Sequence, residues 1–96
     1  MKTGNEVIRK LEELKPFLQQ SYAVSKIGLF GSFANGVPTE RSDIDILVEF
    51  EKPIGWRFFS LEMYLEKIFK RKVDLVTRVA LKEQIASSIL TQLRYI

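Results

Sequence analysis

Two residue types are absent from this chain of 96 residues, which contains no cysteine and no histidine. Their absence excludes disulfides, zinc sites built from thiolates or imidazoles, Ser-His-Asp triads and cysteine nucleophiles. Any catalysis must therefore use carboxylates, hydroxyls or cations. Long apolar runs are also lacking, since none approaches the roughly 18 residues of a membrane span, and the N-terminus has no signal-peptide pattern. We expect a cytoplasmic protein without a membrane partner.

Length and charge are modest as well. Residues 1–96 suffice for a single small domain, and 46% apolar residues are typical of a soluble globular class. The net charge is only +3 and the basic residues are scattered, so we expect no direct nucleic-acid binding. The tightest basic run is Lys70-Arg71-Lys72. It indicates either a solvated helix end or a contact with phosphate or a partner.

The stretch from Gly31 to Val48 carries most of the chemical information. A short apolar run, Ile27 to Phe30, stops at Gly31, as a buried strand does at a turn. A glycine at this point lets the backbone approach a ligand. If Phe33 begins a helix, its unpaired N–H groups point beyond Ser32, which favours phosphate binding there.

Two aspartates open the strand that follows this turn. The strand period of two places Asp43 and Asp45 on one face, opposite the apolar residues Ile44 and Ile46. Such side chains lie about 7 Å apart, so both can reach one Mg²⁺ or a pair of Mg²⁺ ions. The alternative is an edge strand with two acidic residues facing solvent.

The spacing of three motifs distinguishes these alternatives. Gly31-Ser32, ten further residues, Asp43-Ile44-Asp45 and a later strand aspartate, Asp74, together resemble the DNA polymerase beta superfamily of nucleotidyltransferases. The chain is most similar to the minimal nucleotidyltransferase (MNT) proteins, the antitoxin partners of HEPN-domain toxins, from about Val24 to the C-terminus. The resemblance implies Mg²⁺-dependent transfer of AMP from ATP to a tyrosine hydroxyl of a HEPN-type toxin, which neutralises the toxin.

The resemblance also implies roles for individual residues. Asp43 and Asp45 would hold two Mg²⁺ ions, and Asp74 would complete the second metal site and orient or deprotonate the attacking hydroxyl. Gly31 and Ser32 would hold the β- and γ-phosphates.

One position departs from the family pattern Gly-Ser-x-Ala-Arg-Gly, because Asn35 stands where the arginine is usual. A neutral amide supplies a hydrogen bond roughly half as strong as a charge-assisted one, so Asn35 is a nucleotide-binding candidate that lowers the expected turnover. Arg41 and Lys26 are candidate replacements for the missing cation.

The predicted fold is an α/β, polymerase-beta-like nucleotidyltransferase domain with the order helix-strand-helix-strand-helix-strand-helix and a small, three-stranded mixed sheet. The first two strands should be antiparallel, and the third, reached by a helical crossover, should run parallel to the second. All three aspartates then meet at one end of the sheet. The predicted elements are helix 5–20, strand 24–30, a short helix from 33 to 35, strand 43–50, helix 56–69, strand 73–77 and helix 81–90.

Three parts of the chain add detail to this predicted fold. Pro16 should kink or break the first helix near Lys15. Residues 91–96 receive no assignment. The crossover helix is apolar on two sides, and Trp56, Phe59 and Met63 lie opposite its core-facing side. Either Pro53-Ile54 and the last helix cover this second side as ordinary core, or it is an interface.

A chain of this length has little room for an acceptor-binding domain, so a partner or a second copy must supply the acceptor site. Two further functions stay open on this basis. One is a module that binds nucleotide and docks the toxin without turnover. The other is a nucleotidyltransferase that acts on a small molecule such as an aminoglycoside, for which a homo-oligomer would build the cleft.

Overall fold

A computed structural model, which describes residues 3–81 and 83–96, arranges the chain as alternating helices and strands. The predicted order is confirmed, with bounds that differ by no more than two residues, and a short strand is added at the end. Position 82, near the predicted start of the last helix, lies outside the described residues. The elements are α1 Gly4–Tyr22, β1 Val24–Phe30, α2 Ser32–Asn35, β2 Ile44–Phe50, α3 Arg57–Phe69, β3 Val73–Thr77, α4 Glu83–Gln92 and β4 Arg94–Tyr95.

Helix α1 continues through Pro16, so the predicted break is wrong, while the alternative of a kink at this residue stays a prediction. The helix begins where the Thr3 side chain accepts a hydrogen bond from the Glu6 N–H, and it ends at Ala23 in a left-handed conformation. Proline costs the helix one backbone hydrogen bond. That loss is offset because apolar side chains on both sides of Pro16 are buried against the rest of the protein, namely those of Val7, Leu11 and Leu18.

The sheet has the predicted directions. Strand β1 pairs antiparallel with β2, and β2 pairs parallel with β3, as a helical crossover through α3 requires. The sheet order is β3-β2-β1-β4. One face packs against helices α1 and α3. The buried core between them includes Ile27, Leu29, Ile44, Ile46 and Val48 of the sheet and Leu61 and Leu65 of α3. The opposite face carries the aspartates.

The predicted three-stranded sheet is wrong by one strand. Residues 94 and 95 form β4, which pairs antiparallel with β1 and places Tyr95 opposite Gly28. The Ile96 N–H extends this contact by donating to the Ile27 carbonyl at 2.9 Å. Leu93 packs closely over Gly28, because a Cβ atom added to this glycine would lie 2.6 Å from Leu93 Cδ1. A pairing this short leaves no alternating pattern that a sequence could display.

The outer edge of β3 is covered by side chains of α3. The Val73 N–H donates to Glu66 Oε2 at 3.1 Å, and the Leu75 N–H donates to Glu62 Oε2 at 3.4 Å. These glutamates satisfy donors that a neighbouring strand would otherwise pair with, which protects an exposed sheet edge. They also fix the backbone on both sides of Asp74.

The second apolar side of α3 faces solvent. Trp56 is 84% exposed, Met63 68% and Phe59 54%, so the alternative that this side is ordinary core is wrong, and its role as an interface stays a prediction. The Trp56 and Phe59 rings contact each other with centroids 5.7 Å apart. These three residues are called the aromatic patch below. Within the described part of the chain, no helix combines the length and apolarity that a membrane crossing requires.

Candidate active site

The strand pairing brings two of the predicted acidic residues side by side. Asp45 on β2 is the register partner of Asp74 on β3 and also of Phe30 on β1. Paired residues of neighbouring strands point to the same face and are about 5 Å apart. Asp43 lies one residue before β2 begins. The crossover therefore places Asp74 at the same end of the sheet as Asp43 and Asp45, as predicted.

The three carboxylates affect one another electrostatically. The pKa of Asp45 is raised from its ordinary value of 3.8 to about 6, first by burial and then by the negative charges of Asp74 and Asp43. Among residues 3–81 and 83–96, no group of three or more acidic side chains is arranged so that it could hold a metal ion. The site thus consists of adjacent, mutually repelling carboxylates rather than a finished set of ligands.

Gly31 packs directly against this acidic cluster. Its backbone has φ 75° and ψ −155°, a region that essentially only glycine adopts. A Cβ atom at this position would collide with the Asp45 carboxylate and lie only 3.0 Å from its Cγ atom. The turn after β1 can therefore touch Asp45 only because residue 31 has no side chain.

The short helix α2 follows this turn immediately. The Ala34 and Asn35 N–H groups donate to the Gly31 carbonyl at 3.0 and 3.1 Å, and Gly36 N–H donates to the Ser32 carbonyl at 2.9 Å. These bonds close one helical turn. Ser32, the first residue of α2, is therefore next to the glycine that contacts Asp45.

Asn35 has a partner that its sequence position did not indicate. Its Nδ2 atom donates to the Gln92 carbonyl at 2.7 Å, at the end of α4. The side chain thus satisfies one of the carbonyls that a helix end leaves unpaired. Its proposed role in nucleotide binding stays a prediction, and this observation gives it a structural role as well.

The two candidate replacements for the missing arginine lie in different places. Lys26 pairs with Glu49, four residues along β1 from Phe30, which is about 13 Å away at the rise of a strand. Arg41 is exposed in the loop just before Asp43. Because it lies closer to the carboxylates, Arg41 is a better candidate than Lys26 to replace the missing arginine.

Arg71 also belongs to the site, although its position in the sequence indicated no specific role. Arg71 donates to backbone oxygens of the loop that precedes Asp43, and its guanidinium lies over the Phe33 ring. The interpretation of this basic run as a solvated helix end is therefore wrong for Arg71. In the sequence, only its place in the basic run Lys70-Arg71-Lys72 indicated that Arg71 could have a role at the site.

The acidic end of the sheet is partly accessible to solvent, since Asp74 is exposed and Asp43 and Asp45 are partly exposed. A cavity of about 480 Å³ is lined by residues 48–53 and 77–79, at the far ends of β2 and β3. The carboxylates lie instead at the opposite ends of the same strands, on the sheet face away from α1 and α3. Because Asp74 is exposed, a large acceptor such as another protein can reach it.

Comparison with known proteins agrees with this geometry. Residues 11–96 match the nucleotidyltransferase domain family. Protein adenylyltransferase MntA of Thermococcus cleftensis is 40% identical over 97 residues, an alignment that covers 100% of this chain and 98% of that protein.

Solved structures show the same architecture. A structure described as a minimal nucleotidyltransferase has a TM-score of 0.77 at 28% identity, covering 93% of this chain and 92% of that one. A chain from a crystal structure of a toxin-antitoxin with AMP-PNP has a TM-score of 0.68 at 26% identity, covering 96% of this chain and 70% of that one. Together with the family match, they confirm the fold and the resemblance that the motifs indicated.

Proposed function

The chain belongs to the nucleotidyltransferase domain family, and from this premise we propose that it transfers AMP from ATP to a tyrosine hydroxyl of a HEPN-type toxin and so acts as an antitoxin. The main support for this proposal is that Asp45 pairs with Asp74 next to Gly31. Because Gly31 has no side chain, the turn can contact the Asp45 carboxylate. A relative named protein adenylyltransferase and a similar chain in a toxin-antitoxin crystal structure support the reaction and the partner.

The acidic cluster fits magnesium by its chemistry. Carboxylate oxygens are the ligands that this hard cation prefers. The raised pKa of Asp45, caused by burial and by its two acidic neighbours, marks negative charge that a cation would balance. Mg²⁺ held by Asp43, Asp45 and Asp74 would supply positive charge to the triphosphate and to the attacking oxygen.

The turn at Gly31 is suited to the triphosphate. The Asp45 carboxylate fills the space that a Cβ would take at Gly31, so phosphate oxygens would bind beside this carboxylate, at N–H groups of the turn and of the start of α2. The Ser32 hydroxyl adds a further donor. Because Gly31 contacts Asp45, the phosphate-binding turn and the carboxylates are held in one rigid relation.

The transfer step needs little from the protein beyond positioning. The acceptor oxygen bonds to the α-phosphorus while the bond from that phosphorus to the bridging oxygen breaks, and pyrophosphate leaves. Asp74 orients the acceptor hydroxyl and takes its proton. This carboxylate is exposed on the edge strand β3, where a protein substrate can approach it.

The proposed partner supplies the acceptor. Asp74 is exposed on the edge strand β3, so a HEPN-type toxin would present its tyrosine next to this carboxylate. The exposed aromatic patch of α3 is the candidate docking surface, and because α3 covers the opposite face of the sheet, the patch would contact a part of the toxin away from the acceptor tyrosine.

A direct assay tests this function. The protein is incubated with a HEPN-type toxin, Mg²⁺ and ATP labelled at the α-phosphorus, and labelled toxin is identified by mass spectrometry. We expect AMP on a tyrosine, and no label when the label is on the γ-phosphorus. Transfer that persists in the variant carrying both Asp43→Asn and Asp45→Asn would refute the proposed site.

One observation favours a second function, a module that binds nucleotide and toxin without turnover. Asn35 replaces the arginine usual in relatives, and its amide is already engaged with the Gln92 carbonyl. The same assay separates the two functions. A binding module retains Mg²⁺-ATP and the toxin but gives no labelled product at any enzyme concentration.

A further inference from the structure

The loop between Gly36 and Ile44 connects the two halves of the site, yet it has little support of its own. It contains no helix or strand, and Val37 is 88% exposed. A turn from Thr39 to Ser42 provides local hydrogen bonds, including Thr39 N–H to Ser42 Oγ at 2.9 Å. Loops with few buried contacts open easily, so a further interaction is needed to hold Asp43 at the end of this one.

Arg71 supplies that interaction from a distant part of the chain. Its Nη1 atom donates to three backbone oxygens of the loop at 2.9 to 3.1 Å, those of Thr39, Glu40 and Ser42. Three carbonyl oxygens thus converge on one cationic nitrogen. Such charge-assisted hydrogen bonds are shorter and stronger than neutral ones, and the last acceptor is the residue just before Asp43.

The same guanidinium also contacts the other half of the site. Its central carbon lies 5.1 Å from the centre of the Phe33 ring, a distance typical of a cation-π contact. Phe33 is only 3% exposed and follows Ser32 directly in α2. Arg71 therefore touches both the helix that begins at the phosphate-binding turn and the loop that leads to the carboxylates.

The position of Arg71 in the chain links it to the third aspartate as well. It lies between α3 and β3, three residues before Asp74. Next to it, the Lys72 carbonyl accepts a hydrogen bond from the Ile44 N–H at 3.0 Å, where β2 begins. A rigid contact at residue 71 consequently restrains all three segments that carry the predicted site.

We propose that Arg71 is a positioning residue that holds loop 37–43 against α2 and β3 and thereby sets the place of Asp43 relative to Gly31 and Asp74. This inference rests on the proposed function for its catalytic consequence, whereas its effect on the loop is independent of any reaction. Lysine is a poor substitute, because an ammonium group is a point charge without the planar fork that stacks on a ring and bonds several oxygens.

The test compares Arg71→Gln and Arg71→Lys with Lys72→Gln. Lys72 is exposed and adjacent, so its substitution removes the same charge without breaking the contacts to the loop. In the Arg71→Gln protein, amide hydrogen exchange in residues 37–43 should be at least about tenfold faster than in wild type, and Arg71→Lys should restore only part of the protection. Lys72→Gln should leave this exchange unchanged.

Kinetics provide the second readout. Misplacing Asp43 affects the transfer step more than ATP binding, so kcat for AMP transfer in Arg71→Gln should fall at least about tenfold while KM for ATP changes less than about threefold. Equal exchange and equal kcat in Arg71→Gln and Lys72→Gln would overturn the proposal. If the wild type transfers no nucleotide, the proposed function fails, and hydrogen exchange alone decides the role of Arg71.

Discussion

Gly31 lies so close to the side chain of Asp45 that a Cβ atom on the glycine would overlap the carboxylate of the aspartate. The contact connects the turn after β1 to the second residue of β2, and the positive φ of 75° at Gly31 makes it possible. A single glycine therefore couples the predicted phosphate site to the predicted metal site.

Substituting this glycine should damage the site through both strain and collision. Gly31→Ala should lower the free energy of unfolding by about 2 kcal/mol or more and AMP transfer by about a hundredfold, because Asp45 must move. Gly55→Ala is a matched control, since Gly55 also has positive φ, 56°, but no atom lies within 4 Å of the added Cβ. Chemical denaturation and transfer assays measure both effects. Equal losses in the two variants would mean that the contact with Asp45 is unimportant.

Removing two carboxylates should abolish activity without lowering the stability of the fold. The variant with Asp43→Asn and Asp45→Asn should stay folded and lose AMP transfer together with any stabilisation by Mg²⁺ or Mn²⁺. Without metal at pH 7 it should be more stable than wild type by on the order of 1 kcal/mol, because charge repulsion is relieved. Thermal denaturation with and without Mn²⁺ measures this. A metal-dependent rise in Tm as large as that of the wild type would contradict the assignment.

The raised pKa of Asp45 predicts how stability depends on pH when no metal is bound. Its folded-state pKa of about 6 exceeds the ordinary 3.8, so the folded protein binds this proton more tightly than the unfolded chain. Its contribution should therefore grow as the pH falls from about 6 to about 4, on the order of 1 kcal/mol for this partly exposed group. Asp45→Asn should remove this part of the pH dependence, which urea denaturation at several pH values can detect.

The Ser32 hydroxyl should make a partial contribution. Ser32→Ala leaves the backbone donors of the turn in place, so we expect a loss of about 1 to 3 kcal/mol in transition-state stabilisation. Ser60→Ala on α3 is a control that removes an exposed hydroxyl away from the carboxylates. The ratio kcat/KM for ATP measures the effect. Unchanged kcat/KM in Ser32→Ala would remove this side chain from the site.

The aromatic patch should bind the partner. Trp56→Ala combined with Phe59→Ala should weaken toxin binding at least about tenfold, because exposed aromatic side chains are frequent energetic centres of interfaces. Stability should change little, since both side chains are mostly exposed. Val79→Ala, at a position 95% exposed elsewhere, controls for loss of apolar surface. Calorimetric titration of the toxin measures affinity, and unaltered binding by the double variant would locate docking elsewhere.

Local patterns allowed most of the fold to be predicted from the sequence. Strands β1 and β3 have the predicted bounds, because each is a short segment rich in buried apolar residues that ends at a turn. The direction of β3 followed from the crossover helix, and that direction brought Asp74 beside Asp45. Pro16 does not break α1, because the packing of the helix outweighs one lost hydrogen bond.

The sequence by itself determined the motif residues, the face that each aspartate occupies and the order of the elements, since these depend on neighbours only a few positions away. The tertiary structure decided the rest. Arg71 holds a loop carbonyl 32 positions away, and Asn35 holds one 57 positions away. Strand β4 likewise pairs with residues that are distant in sequence, and the pKa of Asp45 is raised mainly by burial and by Asp74 on another strand. Such contacts form only when the folded chain brings the partners together, because hydrogen bonds and charge interactions depend on distance in space rather than on separation along the chain.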